Sequence, residues 1–223
     1  MKGKISEIFE SIQGEGIYAG QRQIFVRFFG CNLSCKFCDT PLKNFSEYES
    51  QELLNELKSY LGNYHSISFT GGEPLLQKDF LKEVLILAKQ EGFRNYLETN
   101  GTLPEALKEV IDYVDIIAMD FKLSSSTNSG DFLVSHREFL KIASAKDVFL
   151  KAVICNSTGE DDFKKSLEVI KEIKPDIRLV LQPNCFEDSG SLDEKIDDLK
   201  TICLRQGIGV CLIPQMHKII GVK

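Results

Sequence analysis

Two patterns of apolar residues alternate along the chain. Short runs rich in β-branched and aromatic residues predict strands, and the amphipathic runs between them predict helices. The predicted strands are Gln23–Phe29, Ser66–Thr70, Arg94–Thr99, Val114–Asp120, Val148–Ile154, Arg178–Gln182 and Gly209–Ile213. The predicted helices are Ser50–Leu61, Lys78–Glu91, Pro104–Ile111, Ser135–Ala145, Asp161–Ile173 and Leu192–Gln206. This alternation indicates an α/β fold with a mostly parallel sheet and crossover helices.

Polar, glycine-containing segments follow several of the predicted strands. They are GCNLSCKFCDT after Phe29, TGGEP after Phe69, ETNG after Leu97, MDFK after Ala118 and QPN after Leu181. Strands such as VDIIAM and RLVLQ are apolar on both faces, as expected for parallel strands covered on both sides. Ligands of parallel α/β proteins bind at the carboxyl ends of the strands. The sequence therefore predicts a functional site along this edge of the sheet.

The composition is that of an ordinary globular protein. The 223 residues are 43% hydrophobic and carry a net charge of −6, which argues against a nucleic-acid partner. No run approaches the roughly 18 apolar residues that span a bilayer. The N-terminal MKGKISEIFESIQGEG has acidic residues where a secretion signal needs an apolar run. We expect a single domain over residues 1–223, in the cytoplasm, with no membrane partner.

Seven cysteines, an odd number, argue against a disulfide framework and for metal or redox chemistry. Three of them form the segment Cys31-Asn-Leu-Ser-Cys35-Lys-Phe-Cys38. Three thiolates can hold three irons of a cubane cluster and leave the fourth iron open for chemistry. Structural zinc is the alternative, but it normally needs four ligands, and the nearest further candidates, Asp39 and His65, do not complete a usual set.

The CxxxCxxC spacing resembles that of the radical S-adenosylmethionine (SAM) superfamily. Gly71-Gly72-Glu73-Pro74 resembles the GGEP element of that superfamily, and Glu98-Thr99-Asn100-Gly101 resembles its next strand-end element, although each alone could be an ordinary turn. The resemblance implies an incomplete, TIM-like α/β barrel of mostly parallel strands. It also implies a 4Fe–4S cluster that reductively cleaves SAM to methionine and a 5′-deoxyadenosyl radical, and a GGEP acid that meets the methionyl ammonium group.

A narrower resemblance is to the 7-carboxy-7-deazaguanine synthase family. It rests on Phe9–Gly16 (FESIQGEG), Arg27, the pair Asp39-Thr40 and Pro214–Lys218 (PQMHK). This resemblance implies a Mg²⁺-dependent ring contraction of 6-carboxy-5,6,7,8-tetrahydropterin to 7-carboxy-7-deazaguanine with loss of ammonia, on the route to queuosine. It further implies a homodimer and an electron donor such as flavodoxin or ferredoxin.

The resemblance also assigns site residues. Cys31, Cys35 and Cys38 hold the cluster, and Thr40 is a ligand of Mg²⁺. Substrate-binding residues are Ile12, Gln13, Gly14, Arg27, Thr70 and His217. SAM-binding residues are Phe37, Cys38, Asp39, Gly72, Glu73, Asp120, Phe121, Lys122, Gln182, Pro183, Asn184 and Cys185. Ordinary structural roles stay open for several of them: a turn at Thr40, an exposed ion pair at Arg27, and a structural histidine at His217.

Some features leave alternatives open. The stretch Ser124–Gly130 (SSSTNSG) is either a flexible surface loop or a lid or ligand loop. Cys155, Cys185, Cys203 and Cys211 lack paired spacing and are interpreted as small buried hydrophobic residues. Two other functions fit the cysteine motif: an activating enzyme of glycyl-radical enzymes, whose substrate is a protein, and a non-catalytic zinc- or cluster-binding adaptor.

Overall fold

A computed structural model describes residues 1–40 and 42–222. Its strands are β1 (Lys2–Ile12), β2 (Arg22–Phe28), β3 (Ser46–Glu49), β4 (Ser66–Gly71), β5 (Asn95–Thr99), β6 (Ile116–Asp120), β7 (Asp147–Ile154), β8 (Leu179–Pro183) and β9 (Val210–Leu212). Its α-helices are α1 (Ser50–Ser59), α2 (Lys78–Gln90), α3 (Pro104–Val110), α4 (Ser124–Thr127), α5 (Leu133–Ala143), α6 (Glu160–Ile173), α7 (Ser189–Arg205) and α8 (Met216–Ile220).

The strands form one nine-stranded sheet in the order β3-β1-β2-β4-β5-β6-β7-β8-β9. From β2 to β9 every neighbouring pair is parallel, while β1 runs antiparallel to both β2 and β3. Within the described residues, β3 and β9 are the two ends of the sheet, so the barrel is open. The prediction of an incomplete α/β barrel of mostly parallel strands is confirmed. No helix in this part of the chain is long and apolar enough to cross a membrane.

Four elements were absent from the sequence-based prediction. β1 was missed because its sequence, KGKISEIFESI, is rich in charged residues, and most of its positions are only partly covered. It is held by pairing with β2, where Phe9 stacks on Phe25 with ring centroids 5.1 Å apart. β3, α4 and α8 are each five residues or shorter, too short for a periodic pattern.

The two faces of the sheet carry different residues. The outer face packs against the helices in the main hydrophobic core, which includes Phe28, Phe69 and Leu97. The inner face has a small separate apolar cluster, formed by Tyr96, Ile116, Ala118, Phe149 and Val180. Side chains alternate between the two faces along a strand, so the residue two positions after each of these inner residues, closer to the carboxyl edge, also points inward. These positions hold the polar residues of the candidate site.

Candidate active site

Six adjacent parallel strands each place one polar side chain on the inner face near their carboxyl ends. These are Arg27 of β2, Thr70 of β4, Glu98 of β5, Asp120 of β6, Lys151 of β7 and Gln182 of β8. Register supports this arrangement, since Arg27 pairs with Thr70 and Asp120 pairs with Lys151. All six line one cavity of about 600 Å³. Every predicted site residue except Glu73 and Phe121 lines the same cavity.

The three clustered cysteines lie at one end of this cavity, which we name the thiol end. They follow a turn at Gly30, whose φ of +94° favours glycine, and Cys38 N–H donates to Cys35 C=O at 3.0 Å. All three thiols are free. Burial raises the pKa of the Cys31 and Cys35 thiols, and nearby Lys122 opposes that rise. Iron would be needed to complete the deprotonation of these thiols.

The described residues contain no group of three His, Cys, Asp or Glu side chains that could hold a single metal ion. In a cubane cluster each of three cysteines binds a different iron atom, and three cysteines on one loop can supply these ligands. The donor set of three accessible thiols on one loop therefore fits a 4Fe–4S cluster.

The GGEP turn packs directly against the start of the cysteine loop. Gly72 N–H donates to Phe28 C=O at 3.1 Å, and Glu73 N–H donates to Gly30 C=O at 2.9 Å. A side chain on Gly72 would not fit, because its Cβ would lie 1.9 Å from the carbonyl oxygen of Gly30. Glycine is therefore required by the close approach of two backbones.

Glu73 does not line the cavity, and its predicted contact with an ammonium group stays a prediction. The residue is fully buried, and its carboxylate accepts hydrogen bonds from Leu75 N–H, Asn100 N–H and the Thr99 hydroxyl at 2.8–3.1 Å. Burial raises the pKa of Glu73 to about 7. Its carboxylate ties the GGEP turn to the end of β5.

The Phe121 side chain also does not line the cavity, and its predicted contact with SAM stays a prediction. Its side chain belongs to the main hydrophobic core and contacts the ring of His136, with centroids 4.3 Å apart. Its neighbours, by contrast, point into the cavity: Asp120 and Lys122 form an ion pair at 2.7 Å, and Lys122 Nζ lies 5.1 Å from the centroid of the Phe37 ring. The alternation of side chains explains why a residue between two cavity residues points outward.

Two buried acceptor atoms at the thiol end are available to a ligand. Asp120 Oδ1 and Gln182 Oε1 have no hydrogen-bond partner within the described part of the chain. Buried acceptors are normally satisfied, so such atoms in a cavity point to a missing donor. The hydroxyl and amino groups of SAM are donors of the required kind.

A second part of the cavity, which we name the arginine end, contains Gln13, Arg27, Thr40 and Thr70, and it adjoins the thiols at Thr40, whose carbonyl oxygen lies 3.8 Å from Cys38 Sγ. Arg27 Nε lies 2.7 Å from Glu7 Oε1, and its Nη1 donates to Thr40 Oγ1 at 3.2 Å. Thr40 in turn donates to Asp39 Oδ1 at 3.2 Å. The predicted carboxylate-binding and magnesium-binding side chains are thus neighbours.

Glu98 organises the arginine end, although the sequence marked it only as part of a strand-end element. Its carboxylate accepts hydrogen bonds from Gln13 Nε2 at 2.7 Å, Ser68 Oγ at 3.0 Å and Thr70 Oγ1 at 2.9 Å. Gln13 Nε2 also donates to Gln23 at 3.0 Å. The alternation of inner and outer positions in β5 is the signal that could have identified Glu98.

Lys151 lies between the two ends and was not predicted. It donates to Glu15 and lies 3.5 Å from Asp120 Oδ2. Burial by itself would lower the pKa of Lys151, but Glu15, Asp120 and Glu98 raise it well above its ordinary value. Burial by itself would raise the pKa of Glu15, but Lys151 and Gln215 hold it below its ordinary value. Lys151 and Glu15 therefore both stay charged at neutral pH.

The C-terminal segment covers this region. Gln215 Nε2 bridges Glu15 at 2.6 Å and Asp39 at 3.1 Å, and Lys218 pairs with Asp39 at 3.2 Å. The backbone N–H of Met216 donates to Gly14 C=O at 2.8 Å, which brings His217 against Gly14. The segment thereby connects the predicted substrate-binding and SAM-binding loops. Gln215 was missed because nothing in its local sequence reveals contacts over 176 residues or more.

The cysteines outside the motif differ in their surroundings. Cys155 and Cys203 are buried, as predicted, and burial raises the pKa of each to about 11. Cys185 is exposed and lines the cavity, and Cys211 is only partly buried. The prediction that all four are buried is therefore wrong for these two, which lie after β8 and in the short terminal strand β9.

This open parallel sheet with three thiols at its carboxyl edge is the architecture of radical SAM enzymes. The family model described as Radical SAM superfamily matches residues 25–153. Two solved structures share the fold: the crystal structure of QueE from Escherichia coli (TM-score 0.67, 20% identity, 95% of this chain and 94% of that one) and Streptococcus suis SuiB bound to S-adenosylmethionine (TM-score 0.56, 17% identity, 82% and 44%).

Relatives with curated names are more specific. A 7-carboxy-7-deazaguanine synthase of Geobacter sulfurreducens is 35% identical over 98% of this chain and 97% of its own length. One from Archaeoglobus fulgidus is 36% identical over the full length of both chains. The chain therefore belongs to the 7-carboxy-7-deazaguanine synthase family of radical SAM enzymes. Membership confirms the predicted enzyme class, with a 4Fe–4S cluster and SAM as cofactors.

Proposed function

We propose that this chain converts 6-carboxy-5,6,7,8-tetrahydropterin to 7-carboxy-7-deazaguanine and ammonia, a step in 7-deazapurine biosynthesis. The observation that carries the proposal is the convergence, in one cavity, of three free thiols with the neighbouring pair Arg27 and Thr40. Loss of ammonia alone balances substrate and product, so the reaction consumes no net oxidant. The family names of the relatives support the same reaction.

The cofactor is assigned to the thiol end. Cys31, Cys35 and Cys38 would hold the cluster, and Asp120 Oδ1 and Gln182 Oε1 would accept hydrogen bonds from SAM. When bound, the cluster and SAM supply the 5′-deoxyadenosyl radical that takes a hydrogen atom from C6 of the pterin. The GGEP turn would meet the methionyl ammonium group, and the Glu73 carboxylate would hold this turn against the end of β5.

The substrate is assigned to the arginine end. A substrate carboxylate placed beside Thr40 would also reach the Arg27 guanidinium, since those two side chains are 3.2 Å apart. Guanidinium binds carboxylate well because its planar fork offers two parallel donors. Gln13 and Thr70 are held in fixed orientation by Glu98, which suits recognition of a rigid heterocycle. Ile12, Gly14 and His217 complete the proposed substrate-binding set.

Magnesium is part of the proposal through the Thr40 hydroxyl. Mg²⁺ prefers oxygen ligands and keeps several waters, so one hydroxyl and the substrate carboxylate are a reasonable pair of ligands. Bound there, the ion would fix the carboxylate and compensate its charge. Asp39, hydrogen-bonded to Thr40, would orient the hydroxyl.

Several expectations from the sequence remain proposals. They are a flavodoxin- or ferredoxin-type electron donor, a homodimer, a single domain over residues 1–223 and a cytoplasmic location. Residues 41 and 223 lie outside the described part of the chain, so the domain proposal concerns residues 1–40 and 42–222.

The test is an anaerobic assay of cluster-reconstituted protein with reductant, SAM, Mg²⁺ and the tetrahydropterin, read by mass spectrometry. We expect 7-carboxy-7-deazaguanine in excess over 5′-deoxyadenosine, because SAM is regenerated. The Cys35→Ala variant, treated identically, should give neither product.

The alternatives give different results in this assay. An activating enzyme of glycyl-radical enzymes would bind the cluster and cleave SAM without forming the deazapurine. A non-catalytic zinc- or cluster-binding adaptor would neither cleave SAM nor form the deazapurine, and protein containing only zinc would support it. Either result contradicts the proposed function.

A further inference from the structure

The segment Ser124–Gly130 begins with a short helix and is packed against the rest of the structure. Its first four residues form α4, and Ser126 and Thr127 are 2% and 0% exposed. Asn128 ends the helix in the left-handed conformation, with φ of +55°, which asparagine tolerates better than most residues. A lid or a flexible loop would expose these side chains, so α4 needs another role.

One carboxylate, at the start of helix α6, accepts the hydrogen bonds that anchor α4. Asp162, in the first turn of α6, accepts hydrogen bonds at Oδ2 from Ser124 Oγ at 3.1 Å, Ser125 N–H at 2.9 Å and Ser125 Oγ at 2.7 Å. Ser125 Oγ also accepts from Gly159 N–H at 2.9 Å, and Ser126 Oγ bonds to Thr158 Oγ1 at 2.8 Å. The α4 segment is thus held by three hydrogen bonds to one atom, Asp162 Oδ2, and by further hydrogen bonds to the loop between β7 and α6.

The opposite side of α4 contacts the cysteine loop. Lys36 N–H donates to the Thr127 carbonyl oxygen at 3.2 Å. Two residues before α4, Lys122 lies over the ring of Phe37. Lys36 and Phe37 are the two residues between Cys35 and Cys38. Both contacts therefore act on the short stretch that sets the relative positions of these two thiols.

We propose that Asp162 is a positioning residue for the cluster, which it supports through Ser125, α4 and the Lys36 backbone. The inference rests on the proposed function only in requiring that the chain binds the cluster. Partners that orient metal ligands commonly change metal affinity by 10–100-fold when removed, about the size expected here. Asp162 has no place in the cavity, so its effect should be on the cluster and not on substrate recognition.

The experiment compares Asp162→Ala with Asp161→Ala. Asp161 is an exposed carboxylate in the same helical turn, so both changes remove one charge from the same end of α6. Each protein is reconstituted anaerobically with iron and sulfide, and iron release to a ferrous chelator is followed without substrate or SAM. We expect release from Asp162→Ala to be about tenfold faster than from Asp161→Ala or the unmodified protein. The Asp162→Asn variant, which keeps an acceptor oxygen, should be intermediate.

Two further measurements keep the test decisive. Thermal unfolding of the apo proteins separates a loosened cluster loop from general instability, and KM for the pterin should be unchanged. If Asp162→Ala does not fold, Ser125→Ala replaces it, because it removes one of the three hydrogen bonds to Asp162 together with the bond from Gly159 N–H. Equal release rates for Asp162→Ala and Asp161→Ala would overturn the inference and leave the proposed function intact, whereas failure of the unmodified chain to take up iron and sulfide would contradict the proposed function itself.

Discussion

At the thiol end of the cavity, the residues that meet come from short contiguous segments, whereas at the arginine end they come from distant parts of the chain. The cysteine loop and the GGEP turn are joined by backbone hydrogen bonds, which depend little on side-chain identity except at glycine. The arginine end and the region beside it depend on side-chain contacts such as Gln13–Glu98 and Gln215–Glu15. The first kind of site can be read from local motifs, and the second requires the fold.

Two glutamates, Glu73, which is fully buried, and Glu15, whose side chain is 19% exposed, show the same contrast in electrostatic terms. Burial raises the pKa of Glu73, behind the thiol end, to about 7, because its partners are hydrogen-bond donors without a full charge in contact. Burial acts on Glu15 in the same direction, yet Lys151 and Gln215 reverse the shift. One acid is therefore stabilised in its protonated form and the other in its ionised form.

The largest effect is expected for Lys151→Met, which would make Glu15 resemble Glu73. The substitution removes the positive charge that contacts the carboxylates of Glu15 and Asp120 inside the cavity. Because these carboxylates then lack that partner, we expect the free energy of unfolding at pH 7 to fall by about 3–5 kcal/mol. Urea unfolding of the apo protein measures the loss. The matched control is Lys89→Met: Lys89 is 43% exposed and pairs with Asp115 at 3.1 Å, so its loss should cost less than about 1 kcal/mol.

The pH dependence of the stability of Lys151→Met tests the direction in which the pKa of Glu15 shifts. In the unmodified protein the pKa of Glu15 is lowered on folding, so its stabilisation is present above its unfolded pKa and is lost as pH falls. In Lys151→Met that pKa should be raised, so the variant should recover stability relative to the unmodified protein between pH 7 and about pH 5. A destabilisation that does not change with pH would contradict the central role of Lys151.

The second-largest effect is expected for Glu73→Gln, whose free energy of unfolding should differ from that of the unmodified protein by an amount that depends on pH. A pKa raised from 4.5 to about 7 means that the contribution of Glu73 to stability is present at low pH and is lost as pH rises through this range. Glutamine does not titrate. We therefore expect the stability of Glu73→Gln, relative to the unmodified apo protein, to rise by about 2–3 kcal/mol between pH 4.5 and pH 8, measured by urea unfolding. Parallel pH profiles would show that folding does not raise the pKa of Glu73.

A pair of glycine substitutions tests the backbone contact against the side-chain contact. In Gly72→Ala the new Cβ would meet the Gly30 carbonyl oxygen, which is backbone and cannot rotate away. We expect the free energy of unfolding to fall by about 1–3 kcal/mol and iron uptake on reconstitution to fall with it. Thermal unfolding and iron analysis measure the two losses.

Gly14→Ala is the counterpart beside the arginine end. Its Cβ would lie 2.3 Å from Nδ1 and 2.7 Å from Cβ of His217, so turning the ring is not enough and the C-terminal segment must move away, weakening the bond from Met216 N–H to Gly14 C=O. We expect a cost of about 1 kcal/mol, because one hydrogen bond is weakened, and normal iron uptake, with KM for the pterin raised. Equal losses in the two variants would mean that the two ends are equally rigid.

The smallest effect is expected for Lys218→Ala. Lys218 is 43% exposed, and its pair with Asp39 is of the surface type, which contributes at most about 1 kcal/mol. Thermal unfolding in low and high salt should show a small difference that salt reduces further. A large loss of stability would show that the C-terminal segment is held mainly by this ion pair.

The sequence predicted the parts of the fold that have local signals. β4 to β8 and α2, α3, α5 and α6 lie close to their predicted bounds, because the apolar pattern of each is strong. β1 was not predicted, since KGKISEIFESI has a charged face, and its strand conformation is fixed by pairing with β2 and β3. The cysteine and GGEP motifs located the thiol end for the same local reason.

Glu98, Lys151, Gln215 and Asp162 show what the sequence could not reveal. Each acts through partners from other elements, at separations of up to 200 residues. Charged residues in strands also have an ordinary interpretation as surface positions, and only the register of the sheet places Lys151 opposite Asp120. The orientation of the Glu73 side chain is likewise set by the donors Thr99 and Asn100 at the end of β5, which no local motif specifies.

The alternation of the six inner rim positions has an evolutionary consequence. Each of these strands contributes one side chain to the rim, while the residue just before it belongs to the outer core that holds the helices. A point mutation at Arg27 or Gln182 can therefore change ligand preference without repacking the core. An insertion of one residue inside such a strand would instead exchange the two faces. New specificities on this scaffold should arise by substitution at the rim and by changes in loop length beyond it, with strand lengths preserved.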